Sequence, residues 1–404
     1  MKLYLEALEI IKSEFKTIPQ ELESISLSDS LSRILAEDVY ADVDQPPFDN
    51  SAVDGYAVVF NDQVRRWKLI GEISAGNFQT FVLNDNNNAV SIMTGSQIPE
   101  GCTAVIPIED VEVVGTTIQL RSGAKYFNGI NIRKKAEYMQ KGQLAVSKNT
   151  LITPAHIMQL ADCGKSAVKV HKKLTAAILS TGDELIDISE KPEADKIRAT
   201  NIYALEALSR KYDFNILNLG IVKDDEELIA LKVDCALTSK IDLLVTTGGV
   251  SVGEYDLLKS IFERMGVERK FWQANIKPGK PIYFGTHQSS SGIKLVFGLA
   301  GNPVSAFVNF YVFILPALES YYSTSFTRKI KAKLTHDLEK KDGKRHFIRG
   351  IYSFDENDKV YIVEDIGPQS SGNISGLSKA NCLIIFEEVK NKISKGEFVE
   401  CIVM

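Results

Sequence analysis

At 404 residues the chain exceeds one ordinary hydrophobic core, which stops growing near ~250 to 300 residues, so two to four domains are expected. Hydrophobic residues at 44% and charged residues at 25% fit a soluble globular protein, and the net charge of −5 argues against general nucleic-acid binding. Five widely spaced cysteines without a C-x-x-C pair point to neither a disulfide framework nor a zinc site, and so to a reducing cytoplasm.

The first residues lack the charged-then-apolar layout of an export signal, and 3–15 reads as an amphipathic helix with Leu8, Ile11 and Phe15 on one face. A short helix is expected over 30–37. From Pro46 to about Tyr138, β-branched runs such as 53–60, 89–93 and 103–108 alternate with Gly, Asn and Pro, which indicates a β-rich domain. A helix over 154–162 follows, with Thr153 as cap, Pro154 at its first position and Gly164 as its stop. The three helical segments are expected to pack together. They would form a helical and linker region over 1–45 and 139–170, with the β domain of 46–138 inserted.

After His171 strand and helix alternate. Apolar strand 175–179 precedes a helix over 201–211, and strand 216–222 precedes a helix capped by Asp224, where Glu227 completes a capping box. Strand 241–246 then runs into Gly248-Gly249-Val250-Ser251-Val252-Gly253, followed by a helix over 257–265. Strand 295–299 leads to a helix opened by Asn302 and Pro303 that closes the domain near Tyr322. This is the grammar of a doubly wound, mostly parallel α/β domain over 171–323. Its most apolar stretch, 304–318, falls short of the ~20 residues of a spanning helix and carries Asn309 and Pro316, so no membrane anchor is expected. Strands over 329–334, 346–352, 360–363, 382–387 and 398–403 give a small C-terminal β domain, 324–404, with the charge run 339–345 as a solvated turn. The fold class is therefore multidomain, α/β plus β.

In open α/β sheets ligands sit beyond the carboxyl ends of the strands. Four segments fall there: Ser180 to Glu184, Lys223 to Asp225, Thr246 to Glu254, and Ala300 to Pro303. Paired glycines let successive backbone N–H groups face an anion, so phosphate or another oxyanion is the natural guest of the Gly248 to Gly253 turn. Glu254 and Tyr255 stand where a P-loop requires Lys and Ser or Thr, which excludes an ATPase P-loop. Glu184, Asp224 and Asp256 suit Mg²⁺ or a nucleophile, with helix capping and solvation as the competing reading. Lys277 and Lys280 lie in a stretch stiffened by Pro278 and Pro281, which suits an oxyanion; ordinary surface lysines are the alternative. The five histidines fall into no base or metal-ligand spacing.

Seven segments in order carry a resemblance over nearly the whole chain: Leu31-Ser32-Arg33-Ile34-Leu35-Ala36-Glu37-Asp38, Phe48 to Ala57, Met93-Thr94-Gly95, Ser180 to Glu184, Gly248 to Glu254, Lys277 to Pro281, and Gly301 to Ser305. Together they resemble the molybdopterin molybdenumtransferase family, the MoeA proteins and the E domain of gephyrin. The resemblance implies a homodimer whose active site joins the β domain of one subunit to the α/β domain of the other. It implies adenylylated molybdopterin and molybdate as substrates, a Mg²⁺-dependent cleavage that releases AMP, and the adenylyltransferase that supplies the substrate as a partner.

By position, Thr181, Gly248, Gly249, Val250, Ser251 and Gly253 would hold the pterin phosphates. Glu184, Asp224 and Asp256 would serve cleavage, with Glu184 and Asp256 as metal ligands. Lys277 and Lys280 would receive molybdate beside Asn302, Pro303 and Ser371, with Lys344, Arg345 or Arg349 completing that site. Asp54, Thr94 and Arg133 would come from the β domain across the dimer. The chain departs from the family pattern at Ala136-Glu137-Tyr138, usually Gly-Glu-Asp, and at Ala300, usually Pro. Tungstate in place of molybdate, adenylyl transfer, and a scaffold without catalysis are the alternatives. The extra β domains disfavour adenylyl transfer, and retention of Asp54, Glu184, Asp256 and both lysines disfavours a pure scaffold.

Overall fold

The structure, a computed structural model, describes residues 1–74, 76, 81–249 and 257–404. At its centre four strands run parallel in the spatial order Asn215–Val222, Thr175–Thr181, Leu243–Thr247, Gly292–Leu299. Ile282–Ser289 and Glu268–Trp272 extend the sheet antiparallel. Strand Thr175–Thr181 is buried from Ala176 onward and apolar over Ala176 to Leu179 because both its faces are covered. Ala176 and Ile178 meet Ile202, Leu205 and Leu208 of helix Thr200–Lys211 on one side. Ala177 and Leu179 meet Ile229 and Val233 of helix Glu226–Thr238 on the other. The chain thus leaves the central strand first to one side and then to the other, which opens a crevice between Thr175–Thr181 and Leu243–Thr247.

The expected strand 295–299 is longer and is half of a hairpin with Ile282–Ser289. At its polar tip Ser289 Oγ caps the turn by donating to the Gly292 carbonyl at 2.9 Å.

No helix forms over 30–37, correcting the sequence reading. A 3₁₀ turn, Leu27–Asp29, ends at Ser30, and Ser32 adopts φ 64°. The Leu35 and Ala36 backbone N–H groups then bond the carbonyls of Thr150 and Lys169, so pairing with distant chain outweighs local helix propensity. The three helical segments do not pack together either. Helix Pro154–Asp162 is anchored by Leu160 in a small core with Leu35, Val39, Val146 and Val170. Helix Tyr4–Phe15 instead buries Tyr4, Ala7, Leu8, Ile11 and Phe15 in the α/β core. Leu8, Ile11 and Phe15 each contribute about 1.5–3 kcal/mol when fully buried.

That helix lies against Pro303–Tyr322, the helix expected to open at Pro303 and close near Tyr322; at 20 residues it could span a membrane by length, but 78% of its apolar window is buried inside the protein, the signature of a core helix. It passes Pro316 through a π turn, Phe310–Ile314. Pro316 has no N–H to offer the Val312 carbonyl, and the Tyr4 hydroxyl donates to that carbonyl instead, at 3.1 Å.

The C-terminal sheet contains the five expected strands, as Lys329–Leu334, Arg345–Asp355, Val360–Asp365, Cys382–Phe386 and Phe398–Val403, plus an unexpected helix, Ile374–Lys379. Strand Ile276–Lys277 of the preceding region joins this sheet parallel to Arg345–Asp355. The inserted β region forms a sheet in the order Ala104–Pro107, Gly55–Val58, Asn88–Ile92, Arg66–Ile73, Thr117–Leu120, Val111–Val114, with apolar clusters on both faces. Among the described residues no backbone hydrogen bond and no shared apolar cluster joins residues 46–138 to residues 171–323.

Candidate functional site

The carboxyl ends of the parallel strands are in register: Thr181 stands beside Val222, Ser180 beside Thr247, and Thr247 beside Leu299. The residues that follow each strand are thereby brought to one edge. Gly248 adopts φ 88°, and a Cβ on it would lie 2.1 Å from the Thr181 carbonyl oxygen, so both conformation and space demand glycine. A Cβ on Gly301 would come within 3.6 Å of Gly248 Cα, which brings the last strand's loop onto the same turn. Asn201 Nδ2 holds that loop by donating to the Gly301 carbonyl at 2.7 Å. Gly249 follows at φ 60° over Leu258. Thr181 is 2% exposed, and its hydroxyl has no hydrogen-bond partner among the described residues. Val250, Ser251, Gly253 and Asp256 lie outside the described residues.

The acids sit on the rim. Glu184 is exposed and folds over Gly182, where a Cβ would meet its carboxylate at 2.5 Å. Asp183 accepts from the Asp224 backbone N–H at 3.2 Å, tying the first two strand-end loops together. The helix cap expected at Asp224 is one residue later: Asp225 Oδ1 accepts from the Glu227 and Leu228 N–H groups at 3.0 Å each. No capping box with Glu227 forms, because Glu227 is the second residue of the helix instead of the third. The Asp224 carboxylate is released from capping.

Lys277 and Lys280 flank Gly279, which adopts φ 92° on the flank of the core helix; a Cβ there would lie 2.2 Å from Asn309 Oδ1. Lys277 Nζ stands 3.9 Å from Asp342 of the C-terminal sheet with its side chain 57% exposed, so its ammonium is loosely restrained. Asn302 opens the core helix through its backbone, its carbonyl accepting from Ser305 and Ala306, while its side chain makes no cap bond; Pro303 takes the first position. The Ser371 carbonyl accepts from the Val304 N–H at 3.1 Å, which brings the Ser371 loop to this helix N-terminus.

The tail cations are otherwise engaged. Arg349, 1% exposed, donates to the carbonyls of Asn373 at 2.8 Å and Ser370 at 2.9 Å, so it shapes the Ser371 loop from beneath and has no free face for an oxyanion. Arg345 is paired with Glu388 at 2.7 Å and lies over the Tyr4 ring. Lys344 Nζ is 3.7 Å from Asp342, which His346 Nε2 also contacts at 2.8 Å. Burial pulls the Asp342 carboxyl upward, but His346 and the Lys344 backbone N–H outweigh it and hold it below the usual carboxylate range. The Asp342–His346 pair and Asn309 are what sequence reasoning missed. Neither stands in a motif: the strand pairing of Lys277 with His346 reveals the first, and the contact of Gly279 with Asn309 reveals the second.

In the β region, exposed Asp54 accepts from the Thr94 backbone N–H and hydroxyl, both at 2.7 Å. These two bonds hold its carboxyl below the usual aspartate range. Arg133, half-buried, reaches the Ala52 carbonyl at 3.4 Å. Asp54, Thr94 and Arg133 form one patch, and the described contacts do not bring it to the glycine turn.

Three family models match along the chain: the MoeA N-terminal region (domain I and II) over residues 4–164, a probable molybdopterin binding domain over 177–320, and the MoeA C-terminal region (domain IV) over 331–404. The chain is 35% identical over 392 residues to a molybdopterin molybdenumtransferase of Haemophilus influenzae, covering 94% of this chain and 93% of that one. It is 33% identical over 395 residues to a molybdopterin molybdenumtransferase of Bacillus subtilis, covering 95% of this chain and 90% of that one. A crystal structure of the molybdopterin biosynthesis moeA protein of Pyrococcus horikoshii superposes over 100% of both chains with a TM-score of 0.82 at 29% identity.

Proposed function

The chain belongs to the molybdopterin molybdenumtransferase (MoeA) family, and from that premise we propose that it inserts molybdate into adenylylated molybdopterin with release of AMP, as a step of molybdenum cofactor biosynthesis. The observation that carries this reading is the packing of Gly248 onto Thr181 and Gly301 at the crevice of the sheet, with the Lys277–Lys280 turn docked on the helix that starts there. Such a crevice accepts phosphates on backbone N–H groups, and the two lysines add positive charge that suits a tetrahedral dianion.

In this reading Thr181, Gly248 and Gly249, continued by Val250, Ser251 and Gly253, bind the phosphates, and Lys277, Lys280, Asn302, Pro303 and Ser371 bind molybdate. Glu184, Asp224 and Asp256 serve pyrophosphate cleavage. Among the described residues no cluster of three or more metal-ligating side chains exists. Two carboxylates, Glu184 and Asp256, would suit Mg²⁺, which takes one or two carboxylates, keeps several waters and completes its shell with substrate phosphates. Exposed Glu184 would hold it together with Asp256, and bound there it would neutralise charge on the pyrophosphate. Asp54, Thr94 and Arg133 complete the site from the second subunit of a homodimer, in keeping with their separation from the glycine turn within one chain. The proposal includes a cytoplasmic location, the substrate-supplying adenylyltransferase as partner, and a division of the chain at 46–138, 171–323 and 324–404 around the discontinuous 1–45 and 139–170 region.

The test is incubation of the purified protein with adenylylated molybdopterin, Mg²⁺ and molybdate, measuring AMP and active cofactor. AMP release stimulated by molybdate is expected, and its absence sinks the proposal.

A further inference from the structure

Asn309 is 0% exposed, and neither its Oδ1 nor its Nδ2 has a hydrogen-bond partner among the described residues. A buried amide in that condition costs about 1–3 kcal/mol relative to a satisfied one, and an apolar side chain of the same size would be the more stable choice. The amide packs against Gly279: a Cβ there would meet Asn309 Oδ1 at 2.2 Å, Cγ at 2.9 Å and Nδ2 at 3.1 Å. The turn between Lys277 and Lys280 therefore rests directly on the amide, and only glycine lets it rest so closely. The residue after Asn309 begins the π turn Phe310–Ile314. A π turn admits an extra residue into the helix and so resets which face the following side chains present. Phe310, Val312 and Phe313 stay in the apolar core while Asn309 is spent on the lysine turn.

We propose that Asn309 is a positioning residue of the oxyanion site: its amide sets the height and spacing of the Lys277–Gly279–Lys280 turn, and its uncommitted dipole turns Nδ2 toward an anion held by the two lysines. The inference rests on the reading of that turn as the molybdate site. With no internal hydrogen bond to break, the amide reorients without loss, and in a low-dielectric surrounding a dipole aimed at a dianion counts for more than it would in water.

The test is calorimetric titration of molybdate into the wild-type protein, Asn309→Leu, Asn309→Asp and Lys280→Ala, with KM for molybdate, kcat and Tm measured alongside. Asn309→Leu is expected to weaken molybdate binding and raise its KM about tenfold, with kcat at saturating molybdate held and Tm equal or higher. Asn309→Asp, of the same shape, is expected to bind more weakly still, because a carboxylate there opposes the anion. Should Asn309→Leu be unstable, Asn309→Asp decides alone. If the Asn309 variants bind molybdate like the wild type while Lys280→Ala does not, the amide is only packing and the proposal is overturned; a loss confined to kcat overturns it too. If Lys280→Ala also binds like the wild type, the turn is not the molybdate site and both readings fall.

Discussion

The glycine crevice and the Asp54 patch are built on opposite principles. In the α/β region position is over-determined: Gly248 is pinned against the Thr181 carbonyl, Gly301 lies on Gly248, and Asp183 ties two strand ends together. In the β region Asp54 is fully solvated, fixed only by Thr94, and Arg133 is restrained by one long bond to Ala52. The first is a strand-end turn whose shape is fixed by its own packing. The second is a displayed surface, whose carboxylate acquires strong electrostatics only when something covers it and removes water.

The largest effect expected from that contrast is at Gly248. Gly248→Ala forces a Cβ to 2.1 Å from a backbone oxygen at φ 88°, and AMP release should fall by about a hundredfold or more. Asp54→Ala touches no core residue, so it should leave Tm unchanged while also abolishing most activity. Mixing the two inactive proteins breaks or confirms the comparison. If each site joins a patch from one subunit to a crevice from the other, random re-association gives one intact site in half of the dimers, restoring about a quarter of the wild-type rate. No recovery after verified subunit exchange would place both halves of the site in one chain.

A smaller effect concerns the charge of the exposed half. The two Thr94 bonds depress the Asp54 pKa, so the ionised, anchored state holds above the usual aspartate range and is lost as pH falls through the depressed value. Thr94→Val removes the hydroxyl bond and keeps the backbone one. The Asp54 titration followed by carbon NMR should move to higher pH, and the acid limb of activity should move with it. An unmoved titration would mean that the hydroxyl does not set this charge.

The same contrast governs what was legible in the sequence. Periodic apolar runs bounded by turn residues gave the parallel strands and all five C-terminal strands, because burial on both faces writes itself into composition. Pro154 and Thr153 marked their helix for local reasons, and the Thr153 hydroxyl and His156 N–H do meet in the cap. What could not be read were choices made by distant partners. Residues 30–37 look helical until Thr150 and Lys169 claim their N–H groups. The first helix has an apolar face but no label saying that it packs on the core helix. Arg349 looks like an anion ligand until four loop residues, Pro368 to Ser370 and Asn373, are seen to consume its guanidinium and backbone. Asn309 carried no signal, since its meaning comes wholly from Gly279, thirty residues earlier in the chain and adjacent only after folding.

The smallest effect sits at Ala136, where the chain departs from the resembling pattern. Ala136 adopts φ 61°, with its N–H donating to the Pro46 carbonyl at 3.0 Å, so its left-handed conformation is fixed by the fold. For a residue with a Cβ that conformation costs about 1–2 kcal/mol. Glycine relieves the strain but loses about 0.4–1 kcal/mol through the greater freedom of the unfolded chain. The difference leaves Ala136→Gly more stable by about 0.5–1 kcal/mol, visible as a higher denaturant midpoint with an unchanged slope. Lys134 and Lys135, just before it, bind the Asp49 carboxylate, so the gain should also steady the segment that carries Arg133. If the patch is merely displayed and depends on a second subunit for order, the substitution should raise stability and leave the rate alone. A rate that rises in step with stability would instead show that rigidity within this chain limits the exposed half, and the two halves would differ in degree and not in kind.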